Sequence, residues 1–356
     1  MMTKDPKLNR TSMAETLAGF SLDPSREILT IDSHTAGETT RLIVGGVGPV
    51  HGSTMGEKLD SFKKGFDGVR RMLTREPRGH RGILAAMVTE GTDDKTHFGL
   101  IYMDARRYPY LCGHATIGAV ATLVQTGILQ VTPGENAIVV DTPSGPMKAR
   151  AMVKDNRTES VTITMVPAFV LKTGQALQVP GFGRIRVDLV CVGGFFAMVS
   201  LKEIGIELTS ANTKTLADLG MAIIDAANDQ LTVYHPLRPE VTTIDVTEFY
   251  DPDQDNALQG RNLVVYGESH VDRSPCGTGT TAKLALLHHH KKIRKGQVFT
   301  NVSPLGTVFQ GTIVDETTLG DLDAVVVEIR GNAHITGVHR FMSDPQDPFP
   351  QGFLMP

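Results

Sequence analysis

The stretches 112-CGHATIGAVATLV-124 and 276-CGTGTTAKLALLH-288 decide how this chain is read. Each begins with cysteine and glycine, stays small and polar briefly, then turns largely apolar. Aligned without gaps, they share the cysteine, the glycine, a threonine four residues on (Thr116, Thr280), an alanine (Ala121, Ala285) and a leucine (Leu123, Leu287). Each follows a strand-like run, residues 98–103 and 262–267, across a loop of similar length. Both loops carry arginine and proline just before the cysteine: Arg107 and Pro109, then Arg273 and Pro275. The copies lie about one domain length apart. The pattern reads as two related halves, each presenting one cysteine at a helix N-terminus.

The surrounding chain fits that reading. Residues 28–46 predict strand, turn, strand, with the turn over Ser33 to Thr40. Residues 59–75 place Leu59, Phe62, Phe66, Val69 and Met72 three and four apart, the mark of an amphipathic helix. Strands are expected at 83–90 and 98–103, and over 137–166 with a break at 142-TPSGP-146. The second half predicts strands at 185–194 and 195–201, a helix at 210–228, and strands at 241–249, 262–267, 324–330 and 333–340. Many short strands with few helices point to an α+β fold, not a doubly wound parallel sheet.

The chain has 356 residues, suited to two domains, with 40% hydrophobic and 21% charged residues. Its net charge of −4 is spread along the chain, so neither nucleic acid nor a membrane surface is an expected partner. The three cysteines, Cys112, Cys191 and Cys276, form no disulfide framework and no C-x-x-C zinc pair. The opening residues lack the apolar core of a signal peptide, and no run reaches the roughly 18 apolar residues of a membrane span. The expected location is the cytoplasm, where thiols stay reduced. Residues 1–26 read as an N-terminal extension.

A helix N-terminus presents unpaired N–H groups and the positive end of the helix dipole. It favours a thiolate and binds carboxylates. Gly113 and Gly277 let a ligand approach the backbone closely. Two such ends facing each other would place two sulfurs on opposite sides of one molecule. Inverting an α-carbon needs that arrangement: one group removes a proton from one face while its partner supplies one to the other.

Buried cysteines are common, but the duplicated context argues against that for Cys112 and Cys276. Cys191 lies inside a strand-like run and reads as structural. His114 next to Cys112 is weak evidence for metal, and Asp272 is able to cap its loop or pair with Arg273. The run His288, His289, His290 reads as complementing a helix C-terminus. The string 277-GTGTTA-282 only loosely fits a dinucleotide loop, lacking a strand running directly into it. A hydrolytic enzyme using Cys112 and a histidine would have no use for Cys276.

The strings 112-CGHATIG-118 and 272-DRSPCGTGTTAK-283 closely resemble the two cysteine motifs of the proline racemase family. The resemblance extends to 32-DSHTAGETTRLIVGG-46, 193-GGFFAMV-199 and 332-NAHITGVHRF-341, and so covers nearly all the chain from about residue 27. It implies the diaminopimelate epimerase fold: two pseudo-symmetric halves, each a mixed β-sheet wrapped around a central helix, with the site in the cleft between them. The first half would be residues 27–168 plus 333–356, the second 169–332. The resemblance further implies Cys112 and Cys276 as catalytic acid and base. Backbone amides at Gly113, His114, Gly277 and Thr278 would bind the substrate carboxylate. His114 and Asp272 would contact the ring nitrogen, and Tyr266 would either wall a plain pyrrolidine ring or donate a hydrogen bond to a ring hydroxyl. No metal or other cofactor, a proline or hydroxyproline substrate and a homodimer are implied as well. Dehydratases of the family carry threonine at the second cysteine. Cys276 therefore points to racemase or epimerase and away from dehydratase. The string 264-VVYGESHVDRSPC-276 looks more like the proline racemase version, which places an aromatic where Tyr266 stands. The order is proline racemase, 4-hydroxyproline 2-epimerase, then trans-3-hydroxyproline dehydratase.

Overall fold

Seventeen strands hydrogen-bond into one continuous sheet in the computed structural model, which describes residues 20–23, 27–155, 157–252, 256, 258–267 and 269–355. Of the expected extension 1–26, all but residues 20–23 lie outside the described residues. In chain order the elements are β1 (Ile28–Thr35), β2 (Glu38–Gly45), α1 (Met55–Thr74), β3 (Leu84–Thr89), β4 (Phe98–Met103) and α2 (Gly113–Gln125). There follow β5 (Gly134–Asp141), β6 (Met147–Lys154), β7 (Arg157–Thr164), β8 (Ala168–Val179), β9 (Gly183–Val192), β10 (Gly194–Ser200) and α3 (Thr213–Gln230). The chain closes with β11 (Ile244–Pro252), β12 (Gln259–Tyr266), β13 (His270–Val271), α4 (Gly277–His289), β14 (Val298–Val302), β15 (Val308–Leu319), β16 (Leu322–Gly331) and β17 (Ala333–Phe341).

Most strand pairs are antiparallel, which makes the architecture α+β. Parallel pairing is confined to β2–β3, β4–β5, β10–β11 and β12–β14. Two helices sit inside the sheet. Every residue of α2 from Gly113 to Val124 is buried, so it has no solvent face at all. It packs on β1, β2, β7 and β17. Helix α4 is buried from Gly279 through Leu286 and packs on β8, β9, β15 and β16. One apolar core contains both helices and both capping cysteines. A second core surrounds α3, and a third lies under α1. The last strand, β17, returns to pair with β1, at the opposite end of the sequence.

Several boundaries differ from the sequence reading. The first turn is only Ala36–Gly37, both at positive φ, so Ser33 to Thr35 and Glu38 to Thr40 are strand, not turn. Helix α1 begins four residues early because Thr54 caps it, accepting from the Glu57 N–H, while Glu57 reaches back to Ser53. Strand β11 starts at Ile244, leaving Val241 in a loop. The ribbons β8, β14 and β15 carry too little alternation to be read beforehand; much of β8 and the far end of β15 is exposed. No helix is long and apolar enough to cross a membrane among the described residues.

Candidate active site

The two duplicated segments meet end to end. Cys112 is the N-cap of α2 and Cys276 the N-cap of α4. In each, the cysteine carbonyl accepts the first helical bond, from Thr116 N–H at 3.1 Å and from Thr280 N–H at 2.8 Å. The shared threonines lock the turns before the helices. Thr116 Oγ1 donates to the Cys112 carbonyl at 2.7 Å, and Thr280 Oγ1 to the Pro275 carbonyl at 3.1 Å. The glycines that follow are the point of contact. A Cβ placed on Gly113 would lie 3.3 Å from Gly277 Cα, and one on Gly277 would lie 3.3 Å from Gly113 Cα. A side chain at either position would crowd the facing backbone, and glycine lets the two helix ends come this close without a shift.

Between the ends lies a cavity of about 90 Å³. All eight residues expected at the site line it: Cys112, Gly113, His114, Tyr266, Asp272, Cys276, Gly277 and Thr278. The remaining wall includes Leu84, Leu111, Phe196, Val246 and Val264, with Arg107 and Pro109 completing it. Larger hollows occur elsewhere, of about 820 and 610 Å³, but neither cysteine lines them. Among the described residues, no group of three or more His, Cys, Asp or Glu side chains is arranged to hold a metal.

The charges around the cavity are ordered. His114 Nδ1 lies 3.3 Å from Cys112 Sγ. Burial works against the imidazolium, but the Cys112 sulfur, Asp272 and Glu38 outweigh it and raise His114 to about 10. The Cys276 Sγ accepts from Gly279 N–H at 3.3 Å and lies 3.3 Å from Thr278 Oγ1. Burial, followed by the Asp272 charge, still pushes this thiol well above its ordinary range. Asp272 is itself raised to about 6, by burial and by repulsion from Glu38, with His114 and the Ser274 hydrogen bond opposing. Burial keeps Tyr266 a neutral hydroxyl, helped by Glu38 and Asp272.

Asp272 does cap its loop, accepting from Ser274 N–H at 2.8 Å and Ser274 Oγ at 2.7 Å. The Ser274 hydroxyl accepts in turn from the Cys276 N–H at 3.0 Å. Arg273 pairs not with Asp272 but with Glu38. Cys191 is fully buried in β9 and pushed up to about 12 by burial, as a structural cysteine would be. His288 and His289 occupy the last turn of α4, and His288 lies 2.9 Å from Glu316. The sequence reading missed Glu38 and the apolar wall. Glu38 stood within 32-DSHTAGETTRLIVGG-46, but no spacing tied it to residues more than two hundred positions away. Leu84, Phe196 and Val246 come from three separate strands, so no local pattern marked them.

Two buried helices, each capped by a cysteine and abutting at their N-termini within a wrapped sheet, define the diaminopimelate epimerase architecture. The family described as proline racemase matches residues 30–354. The chain is 38% identical over 331 residues to a proline racemase from Clostridioides difficile, covering 93% of this chain and 99% of that protein. It is 39% identical over 325 residues to a 4-hydroxyproline 2-epimerase from Streptosporangium roseum, covering 91% and 97%. A solved hydroxyproline epimerase from Agrobacterium vitis, with bound trans-4-hydroxy-L-proline, superposes with a TM-score of 0.87 at 29% identity, covering 93% and 95%. The chain belongs to the proline racemase family, whose members include amino-acid racemases and epimerases, and it is an isomerase of that kind.

Proposed function

We propose that the chain inverts the α-carbon of proline by transferring protons through Cys112 and Cys276, without a cofactor. The observation that carries this reading is the pair of cysteine-capped helix ends meeting around one small cavity. The substrate carboxylate sits on the N–H groups of Gly113, His114, Gly277 and Thr278, where both helix dipoles favour an anion. Asp272 accepts from the ring N–H groups, while the His114 imidazolium, a donor only, turns to the Cys112 sulfur. The Cys112 thiolate, stabilised by the His114 imidazolium, removes the α-proton from one face. The Cys276 thiol donates its proton to the other face. The enzyme is left with a Cys112 thiol and a Cys276 thiolate, the form that accepts the opposite enantiomer. The negative charge passing through the α-carbon is stabilised by donors already in place.

An unsubstituted ring fits the apolar wall formed by Leu84, Leu111, Phe196, Val246 and Val264. The alternative, 4-hydroxyproline epimerisation, is favoured by the Tyr266 hydroxyl on the same wall, which offers a partner to a ring hydroxyl. Dehydration of trans-3-hydroxyproline ranks last, because Cys276 stands where the dehydratases carry threonine. The same reading divides the chain into halves 27–168 plus 333–356 and 169–332, working as a cytoplasmic homodimer.

Incubation with L-proline and, separately, trans-4-hydroxy-L-proline in D₂O tests the reading. Proton NMR follows α-hydrogen exchange, and polarimetry follows inversion. Exchange and inversion of L-proline at the higher kcat/KM are expected. If neither compound exchanges under reducing conditions, the two-base reading fails. Faster turnover of the hydroxylated compound moves the assignment to the epimerase.

A further inference from the structure

Glu38 is fully buried at the start of β2, yet it touches a segment more than two hundred residues away. Its Oε2 accepts from the Arg273 backbone N–H at 2.7 Å, and its Oε1 lies 2.9 Å from His270 Nε2. The Arg273 guanidinium lies over the same carboxylate at 3.4 Å and 2.9 Å from His270 Nε2. Gly82 makes room for this packing: a Cβ there would come within 2.7 Å of Arg273 Nη2 and 3.0 Å of His270 Cε1. His270 packs edge-on against Tyr266, with ring centroids 4.9 Å apart. Arg273 directly follows Asp272, whose carboxylate fixes Ser274, whose hydroxyl receives the Cys276 N–H. One buried carboxylate thus anchors the run that carries Asp272 and leads into Cys276.

We propose that Glu38 is a positioning residue for the reaction, clamping the His270–Ser274 loop from across the cleft so that Asp272, Tyr266 and Cys276 face the substrate together. This rests on the two-cysteine reading for its chemistry, though the clamp itself is a property of the substrate-free protein. A second consequence is electrostatic. Glu38 is held at about 2: burial opposes its charge, but the His270 hydrogen bond, then His270, His114 and Arg273, outweigh it. It is therefore a fixed anion at any working pH. The groups facing it are His270 and Arg273 on the loop, Asp272, Tyr266 on β12, His114 on α2, and His80 ahead of β3. Its charge favours the proton on both Asp272 and His114.

Glu38→Gln keeps the shape and removes the charge; Glu38→Ala removes both. Wild-type kcat/KM should rise as the Asp272 carboxylate forms near pH 6 and fall as the His114 imidazolium is lost near pH 10. In Glu38→Gln both limbs should move to lower pH, which loss of packing alone would not cause. In Glu38→Ala kcat/KM should drop about a hundredfold, the scale of a misplaced catalytic group. Without substrate, amide hydrogen exchange of residues 270–276 should accelerate at least about tenfold in Glu38→Ala while α1 keeps its protection. Unchanged exchange in that loop, or pH limbs in Glu38→Gln that coincide with wild type, overturns the proposal. If wild type exchanges no proline α-proton, the catalytic reading falls, and loop exchange alone decides the clamp.

Discussion

Cys112 and Cys276 cap helices of 13 residues each, yet their surroundings differ in charge and in backbone. Cys112 adopts extended dihedrals, φ −146 and ψ 111, and its nearest charged partner is the His114 ring. Cys276 stands at φ 59, a conformation that costs a residue with a side chain ~1–3 kcal/mol. Among the described residues its sulfur hydrogen-bonds with the Thr278 hydroxyl and the Gly279 N–H, and the Asp272 and Glu248 carboxylates act on it through their charge. The His114 imidazolium stands beside one sulfur and carboxylates lie near the other, and burial with the Asp272 charge keeps Cys276 a thiol. The two helix ends match in their cysteine, glycine and threonine, and the residues around them make the ends unequal. The proposed two-base reaction needs that inequality, because only one of its groups starts with the proton.

The hardest test of the comparison is to remove one sulfur at a time. Cys112→Ser and Cys276→Ser should each lower the rate of proline inversion by about a thousandfold or more, since a serine hydroxyl is far too weak an acid and base at neutral pH. Polarimetry on both variants, started from either enantiomer, measures it. A Cys276→Ser enzyme with near wild-type turnover would mean that Cys112 works alone, as in a hydrolytic cysteine enzyme.

Much of this asymmetry was invisible in the sequence, although the site itself was largely legible. The repeated cysteine, glycine and threonine marked the two helix ends because a helix cap is a local device, written within five residues. Asp272 and Tyr266 were reached only through family resemblance, since nothing local distinguishes a cavity aspartate from one that caps a loop. Glu38 and Phe196 were missed because their roles depend on contacts far apart in sequence, Glu38 with the Arg273 N–H and Phe196 with Val246 on the neighbouring strand β11. The fold class followed from strand count and spacing, whereas the low-amphipathicity ribbons β8 and β15 left no readable period.

The close approach of the two ends offers the next test. Gly277→Ala places a Cβ 3.3 Å from Gly113 Cα, against backbone that has little room to yield. Gly113→Ala meets the Gly277 backbone and also the Ile163 side chain at 3.4 Å. Both should reduce kcat/KM by about a hundredfold as the helix ends separate. Gly113→Ala should be the more damaging, because it is confined on two sides. Equal loss in the two variants would show that the Ile163 contact relaxes freely.

Chemical modification sharpens the contrast in charge. Near neutral pH and without substrate, iodoacetamide should alkylate Cys112 about ten times faster than Cys276, because only the thiolate reacts. Peptide mass spectrometry resolves the two sites and uses buried Cys191 as the unreactive reference. His114→Gln should narrow the ratio by removing the cation beside Cys112. Faster labelling of Cys276 would reverse the assignment of resting proton donor and acceptor.

The smallest expected effect concerns the supports behind the two ends. Behind Cys112, Tyr102 OH lies 2.6 Å from Thr116 Oγ1, and Thr116 holds the Cys112 carbonyl. Behind Cys276, Asn262 and Asn301 both donate to the Pro275 carbonyl, at 2.9 and 3.2 Å, and so restrain the residue before the positive-φ cysteine. Asn301 also donates to Thr280 Oγ1 at 2.9 Å and accepts from buried Lys283 Nζ at 3.1 Å. Tyr102→Phe removes one hydroxyl and leaves Thr116 bound to the Cys112 carbonyl, for a cost of about 1 kcal/mol. Asn301→Ala strips partners from a carbonyl, a hydroxyl and an ammonium at once. Asn262 and Thr280 still hold Pro275, so its cost should be about 2–3 kcal/mol. Urea unfolding of both variants measures the gap. Equal losses would place the backbone strain of Cys276 outside the reach of Asn301 and leave Asn262 and Thr280 as its restraints.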